Sequence, residues 1–77
     1  MARRPAKLTG RQILAANIRR LRKERDLSQD QLAHLAGIHR TYVGAVERSE
    51  KNISIDSIEK LARALGCSLD SLLREPK

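Results

Sequence analysis

Arg40 and Thr41 are the side chains of this 77-residue chain best suited to reading a nucleic-acid base. A planar guanidinium, whose fork of donors matches O6 and N7 of guanine, is followed at once by a short hydroxyl that contacts a neighbouring base or phosphate. His39 and Tyr42 flank the pair and are counted with it; Tyr42 is the one aromatic residue of the chain. Gln29 combines a flexible amide with the free backbone N–H groups of a helix start, which is equipment for gripping a phosphate. Arg19, Arg48, Ser49, Lys51 and Asn52 are further phosphate donors, the last three in a polar, turn-like stretch (Ser49 to Ile53) that would touch the backbone beside the groove. Two readings of Arg40 stay open. It bonds guanine, or it clamps phosphate only, since half or more of protein–DNA hydrogen bonds go to the backbone.

Chemistry of this kind needs one helix held out into a groove, and the twenty residues from Gln29 to Arg48 (QDQLAHLAGIHRTYVGAVER) have the pattern for it. Leu32 and Ala36 fall on one face of a first helix, and Val43 and Val46 on one face of a second. Gly37 stands where the first helix must stop and turn, because glycine alone takes a left-handed conformation without steric penalty. Ala33 is small where two crossing helices would collide. Ser28-Gln29-Asp30-Gln31 is a capping box that starts the first helix at Gln29. The pattern predicts a helix-turn-helix whose second helix begins near His39 or Arg40 and ends near Arg48. An ordinary antiparallel helix pair in a small bundle is the plainer alternative.

The remaining residues supply the support. A helix from Thr9 or Gly10 to Arg25, capped by Thr9, buries Leu14, Ile18 and Leu21 and turns Arg19, Arg20 and Lys23 outward. Arg22 lies at the border of that face, where its fork suits a partly buried ion pair with Glu47. Ser54 caps a helix from Ile55 to Leu65 that Gly66 ends. Ser68 caps a last short helix from Leu69 to about Arg74. The expectation is an all-α, compact five-helix domain over residues 9–75, with residues 1–8 as a flexible basic arm. That arm suits DNA phosphates or a minor groove, and equally suits a disordered tail.

Composition narrows the function. The formal charge is +7, and residues 1–25 carry nine Lys/Arg against one acid while the rest carries seven against eight. Such an excess favours an anionic partner, though a basic face also serves solubility. Cys67 is alone. It can form no internal disulfide, and with His34 and His39 as the only histidines no metal site is expected. No catalytic constellation and no cofactor motif is present, so the chain is read as a non-enzyme. The absence of any long apolar run predicts a protein that is cytoplasmic, with no membrane partner.

Leu27 to Leu73 resembles the Cro/C1-type, xenobiotic-response-element family of helix-turn-helix regulators. The S-Q opening, A-G turn, E-R exit and L-A-R-A-L-G ending carry the likeness, which with the first helix covers nearly the whole chain. RTYVGAVERSEKNISI is similar, more narrowly, to the controller proteins of restriction–modification systems. The resemblance implies a lambda-repressor-like fold and a sequence-specific transcriptional regulator bound to double-stranded DNA as a homodimer. Gln29 would fall on the family's phosphate-binding glutamine, Arg40 and Thr41 on its base-reading positions, and Arg22 with Glu47 on a salt bridge of the phage repressors. Ala45 falls where some of those repressors place a third base-reading side chain, and it offers a methyl contact only. Leu69, Leu72 and Leu73 give the last helix more apolar surface than a small domain buries, and they are assigned to the dimer interface. RNA polymerase is a further partner if the operator lies beside its site. The alternative is an antitoxin or regulator subunit whose main partner is another protein, against which the short tail after the last helix argues.

Overall fold

The computed structural model describes residues 8–50 and 52–76, so the arm residues 1–7 and Lys51 lie outside the described residues. Five helices follow in order: α1 (Gly10–Glu24), α2 (Gln29–Ala36), α3 (Arg40–Glu47), α4 (Ile55–Leu65) and α5 (Leu69–Leu73). Among the described residues there is no strand.

Each helix start is fixed by a side chain that accepts from an otherwise unpaired N–H. Ser28 and Gln31 form the reciprocal box expected of them. Thr9 and Gln12 form a second, so Gln12 joins the expected cap Thr9. Ser54 and Ser68 cap α4 and α5. Helix ends are equally regular. Gly37 takes φ +72° after α2, with Ile38 N–H donating to the Ala33 carbonyl at 3.0 Å. The same closure ends α1 and α3 without glycine: Asp26 (φ +54°) and Ser49 (φ +61°) adopt the left-handed region themselves. Leu27 N–H then donates to the Arg22 carbonyl and Glu50 N–H to that of Ala45. This is the six-to-one closure that satisfies the last carbonyls of a helix.

The apolar stripes meet in one core. Ile18, Leu32, Val43, Leu61 and Leu72 have no exposed surface, and Leu14, Leu21, Val46, Ile58 and Leu65 are nearly as deep. α2 packs on α3 and α4, α1 packs on α3 and α5, and α4 closes against α5. The two helices of the turn motif are thus gripped from both sides. Cys67 is half-buried against this core, as a small apolar residue would be; burial pushes its thiol up against the opposing pull of Arg25 and Arg20.

Leu72 departs from its expected place at the dimer interface. Leu72 is not available to a partner: it is fully buried in its own subunit's core, because the short α5 turns that side chain inward against α1 and α4. Leu69 is half-buried and Leu73 is 44% exposed, so they are the residues of α5 that keep apolar surface toward solvent.

Asn17, which is outside the expected buried set, is 1% exposed. Its amide nitrogen donates to the Leu72 and Arg74 carbonyls, each at 2.8 Å. A five-residue helix cannot satisfy its own last carbonyls. Asn17 does so from α1, and thereby fixes α5 on the bundle. The signal was legible as a lone amide on the apolar stripe of α1, between Leu14 and Ile18.

Candidate nucleic-acid interface

The interface is built around Glu47, a buried acid at the last turn of α3. Its carboxylate Oε2 accepts from Arg22 Nε at 2.6 Å, and Oε1 accepts from Arg22 Nη2 at 3.1 Å and from Gln29 Nε2 at 3.0 Å. The two-pronged contact between guanidinium and carboxylate is the strong form of such a pair. Arg22 also donates from Nη1 to the Leu27 carbonyl at 2.8 Å, so one side chain ties the α1–α2 loop to the end of α3. Burial alone would push the Glu47 carboxyl up. The hydrogen bonds from Arg22 and Gln29 and the charges of Arg22 and Arg19 outweigh it and hold the group below the usual carboxylate range.

Arg19, expected among the phosphate donors, has a second task. Its Nη2 donates to the Glu47 backbone carbonyl at 2.5 Å, capping the C-terminal end of α3 while about half of the side chain stays exposed. A cation at a helix C-terminus is favoured by the helix dipole. α1 therefore holds α3 by two arginines, one largely buried and one at the rim.

Gln29, Asp30, Arg40, Thr41, Gly44 and Arg48 line one open cleft of about 300 Å³ between the start of α2 and the outer face of α3. The structure thus brings together Gln29, Arg40, Thr41 and Arg48 from the expected set. Gln29 lies half-buried, with one N–H of its amide committed to Glu47. The free N–H groups of the first turn of α2 stand beside it. Gly44 was not singled out from the sequence. A side chain there would begin 3.2 Å from Arg48 Nη1 and 3.6 Å from Gln29 Oε1, so the glycine leaves room for both to lie across α3.

His39 and Tyr42 sit differently from Arg40 and Thr41. His39 is the cap of α3, its Nδ1 accepting from the Thr41 N–H at 3.2 Å and lying close to the Thr41 hydroxyl. Tyr42 is half-buried and packs against the core, so much of its ring supports α3 from behind. Ser49 and Asn52 stand past the end of α3; Ser49 Oγ donates to the Arg11 carbonyl at 3.5 Å and Asn52 is exposed. Ala45 is half-exposed on α3. Among the described residues no group of three or more His, Cys, Asp or Glu is placed to hold a metal ion, and no helix is long and apolar enough to cross a membrane.

Known proteins share this fold. Residues 18–72 match the helix-turn-helix family model HTH_3. The chain is 48% identical over 63 residues to the control protein C.SmaI of Serratia marcescens, a match covering 82% of this chain and 75% of that one. Among solved structures, a hypothetical transcription factor from Neisseria superposes with a TM-score of 0.88 at 43% identity, covering 99% of this chain and 87% of that one. The restriction-modification controller protein C.AhdI of Aeromonas hydrophila superposes with a TM-score of 0.78 at 42% identity, covering 80% and 94%. With a family model matched from α1 to α5 around a cleft of this chemistry, the chain belongs to the HTH_3 family of Cro/C1-type helix-turn-helix DNA-binding transcription regulators.

Proposed function

We propose that this protein binds a near-palindromic operator as a homodimer and is the controller of a restriction–modification system. The observation that carries the reading is the cleft itself. It joins a phosphate donor at the start of α2 (Gln29) to base-reading candidates on the first turn of α3 (Arg40 and Thr41), with Arg48 one helix turn beyond Gly44. Backbone donors fix the register of a protein on the duplex, and side chains in the groove then read it. Arg19, Ser49 and Asn52 extend the phosphate-binding set beyond the cleft, and the sequence adds Lys51 to that set. The apolar surface of Leu69 and Leu73 supports association through α5, and a two-fold axis there would present two recognition helices about 34 Å apart, one turn of DNA. The likeness to C.SmaI and C.AhdI supports the controller assignment. Where the operator lies relative to the polymerase site then sets activation or repression, including any contact with RNA polymerase. A DNA-binding regulator of this kind works in the cytoplasm.

Selection of duplexes from a randomised pool tests the reading. Enrichment of two inverted half-sites about one helical turn apart is expected. Recovery of no common sequence, or of a single half-site by a monomer, would overturn it. A methyltransferase gene and an endonuclease gene next to this one decide for the controller role.

A further inference from the structure

Asp30, in the first turn of α2, reaches across the cleft to the first turn of α3, where its Oδ2 lies 3.5 Å from Arg40 Nη1. Both side chains are about two-thirds exposed. An exposed pair of this kind adds little to folding, so stability does not account for the pairing of Asp30 with Arg40. Its charge is wrong for simple DNA attraction, since it stands among Gln29, Arg40, Thr41 and Arg48 on the surface that phosphates approach. Arg48, the other arginine of the cleft, is held in the same manner by Glu50 at 3.1 Å.

We propose that Asp30 is a specificity-determining residue: it holds the Arg40 guanidinium and repels phosphate from it, so that Arg40 is left to bond a base. This rests on the reading that Arg40 faces a base. A guanidinium carries five N–H donors, enough to serve a carboxylate on one edge and guanine O6 and N7 on another. Guanine is a neutral acceptor and meets no repulsion from Asp30. A phosphate is a charged acceptor, and it would bring a second negative charge against the carboxylate. Arg40 without its partner is a mobile cation that any phosphate satisfies, which strengthens binding to all DNA and weakens the preference for one sequence.

Acids in the first turn of a helix also complement the helix dipole, and Asp56 holds the corresponding place in α4. Asp56 is therefore the control. Wild type, Asp30→Asn, Asp56→Asn and Arg40→Ala are titrated against three probes: the duplex that wild type enriches from a randomised pool, its single-base variants, and an unrelated duplex of the same length. Asp30→Asn is expected to bind the unrelated duplex about three- to tenfold more tightly at low salt, with a steeper salt dependence. Its preference for the selected duplex over the variant at the Arg40 position should fall about tenfold. Asp56→Asn should change neither. If Asp30→Asn retains the wild-type preference while Arg40→Ala loses it, the role of Asp30 is refuted and the base-reading role of Arg40 stands. If Arg40→Ala retains every preference, both fall. Should Asp30→Asn fail to fold, Asp30→Ser, which suits a helix start, is judged by the same outcomes.

Discussion

Glu47 on α3 accepts a hydrogen bond from the side chain of Gln29 on α2, at 3.0 Å. The contact joins the cleft to the interior. Gln29 lines the cleft, whereas the Glu47 side chain is 2% exposed and is bound from α1 by Arg22. One carboxylate thus sets the relation of α1, α2 and α3, and the angle between the two helices of the motif depends on a charge that solvent does not reach.

Removing that charge strands its partner. Glu47→Ala leaves Arg22, itself only 13% exposed, without its counter-ion. Breaking a buried pair costs roughly 3–5 kcal/mol, against less than about 1 kcal/mol for an exposed one. Denaturant melts should therefore show a large loss, and a change at the exposed level would remove Glu47 from the structural frame. The pair also imposes a pH dependence. The folded carboxyl titrates below its ordinary value of 4.5, so the unfolded chain binds more protons as the pH drops through that range. Its contribution is complete above 4.5 and is lost as the pH falls through the lower, folded value. Wild type and Glu47→Gln should accordingly differ most near neutral pH and converge in acid.

Asn17 is the second internal tie. Asn17→Ala leaves the carbonyls of Leu72 and Arg74 without their donor, and an unsatisfied buried group costs about 1–3 kcal/mol. The loss should concentrate in α5, the shortest helix. Hydrogen exchange should show faster opening there while the amides of α2 and α3 keep their protection. Uniform loss of protection would mean that α5 does not open independently.

The extent to which the sequence revealed these features follows from the range of the forces involved. Helix starts and stops are local: Ser28, Ser54, Gly37 and Gly66 fix α2 and α4 through residues within one turn, and the bounds Gln29–Ala36 and Ile55–Leu65 were readable as they stand. The ends of α1 and α3 were less sharp because Asp26 and Ser49, not glycine, take the left-handed turn. Arg22 and Glu47 were readable across 25 residues because a charge on an apolar border demands a partner. The inward turn of Leu72 was not. In a helix of five residues, Leu69, Leu72 and Leu73 give too few positions to tell the buried face from the exposed one, and α1 decides it. The cleft partners of Arg40 and Gln29 were equally hidden, since they depend on the angle at which α2 meets α3.

Leu72 and Leu73 now separate folding from association. Leu72→Asp puts a charge into a site with no solvent exposure and should unfold the domain. Leu73→Asp alters a side chain that is 44% exposed and should leave the fold intact while weakening the proposed dimer. Circular dichroism and sedimentation read the two effects apart. A folded Leu73→Asp that sediments like wild type would place the dimer contact away from this part of α5.

Gln29 and Arg40 line the same cleft, yet they should fail in different ways. Gln29 stands at the first residue of α2, tied to Glu47, where the amide and the free N–H groups of the first turn are proposed to meet a phosphate. A phosphate contact carries no sequence information, so Gln29→Ala should weaken binding to every duplex by a similar factor. Because the amide is neutral, the salt dependence should hardly change. Arg19→Ala should also weaken all sequences, but it removes a cation and a donor to the Glu47 carbonyl, so the salt dependence should flatten and α3 should loosen together. Arg40 is expected to bond guanine through its fork, and its loss should cost about 1–3 kcal/mol and relax preference at one base position in each half-site. Titration of the three variants against the selected duplex and its single-base variants, at two salt concentrations, tells these signatures apart. If Arg40→Ala weakens every duplex equally and flattens the salt dependence, Arg40 is a phosphate clamp, and the base reading must come from Thr41, the Ala45 methyl or the shape of the DNA.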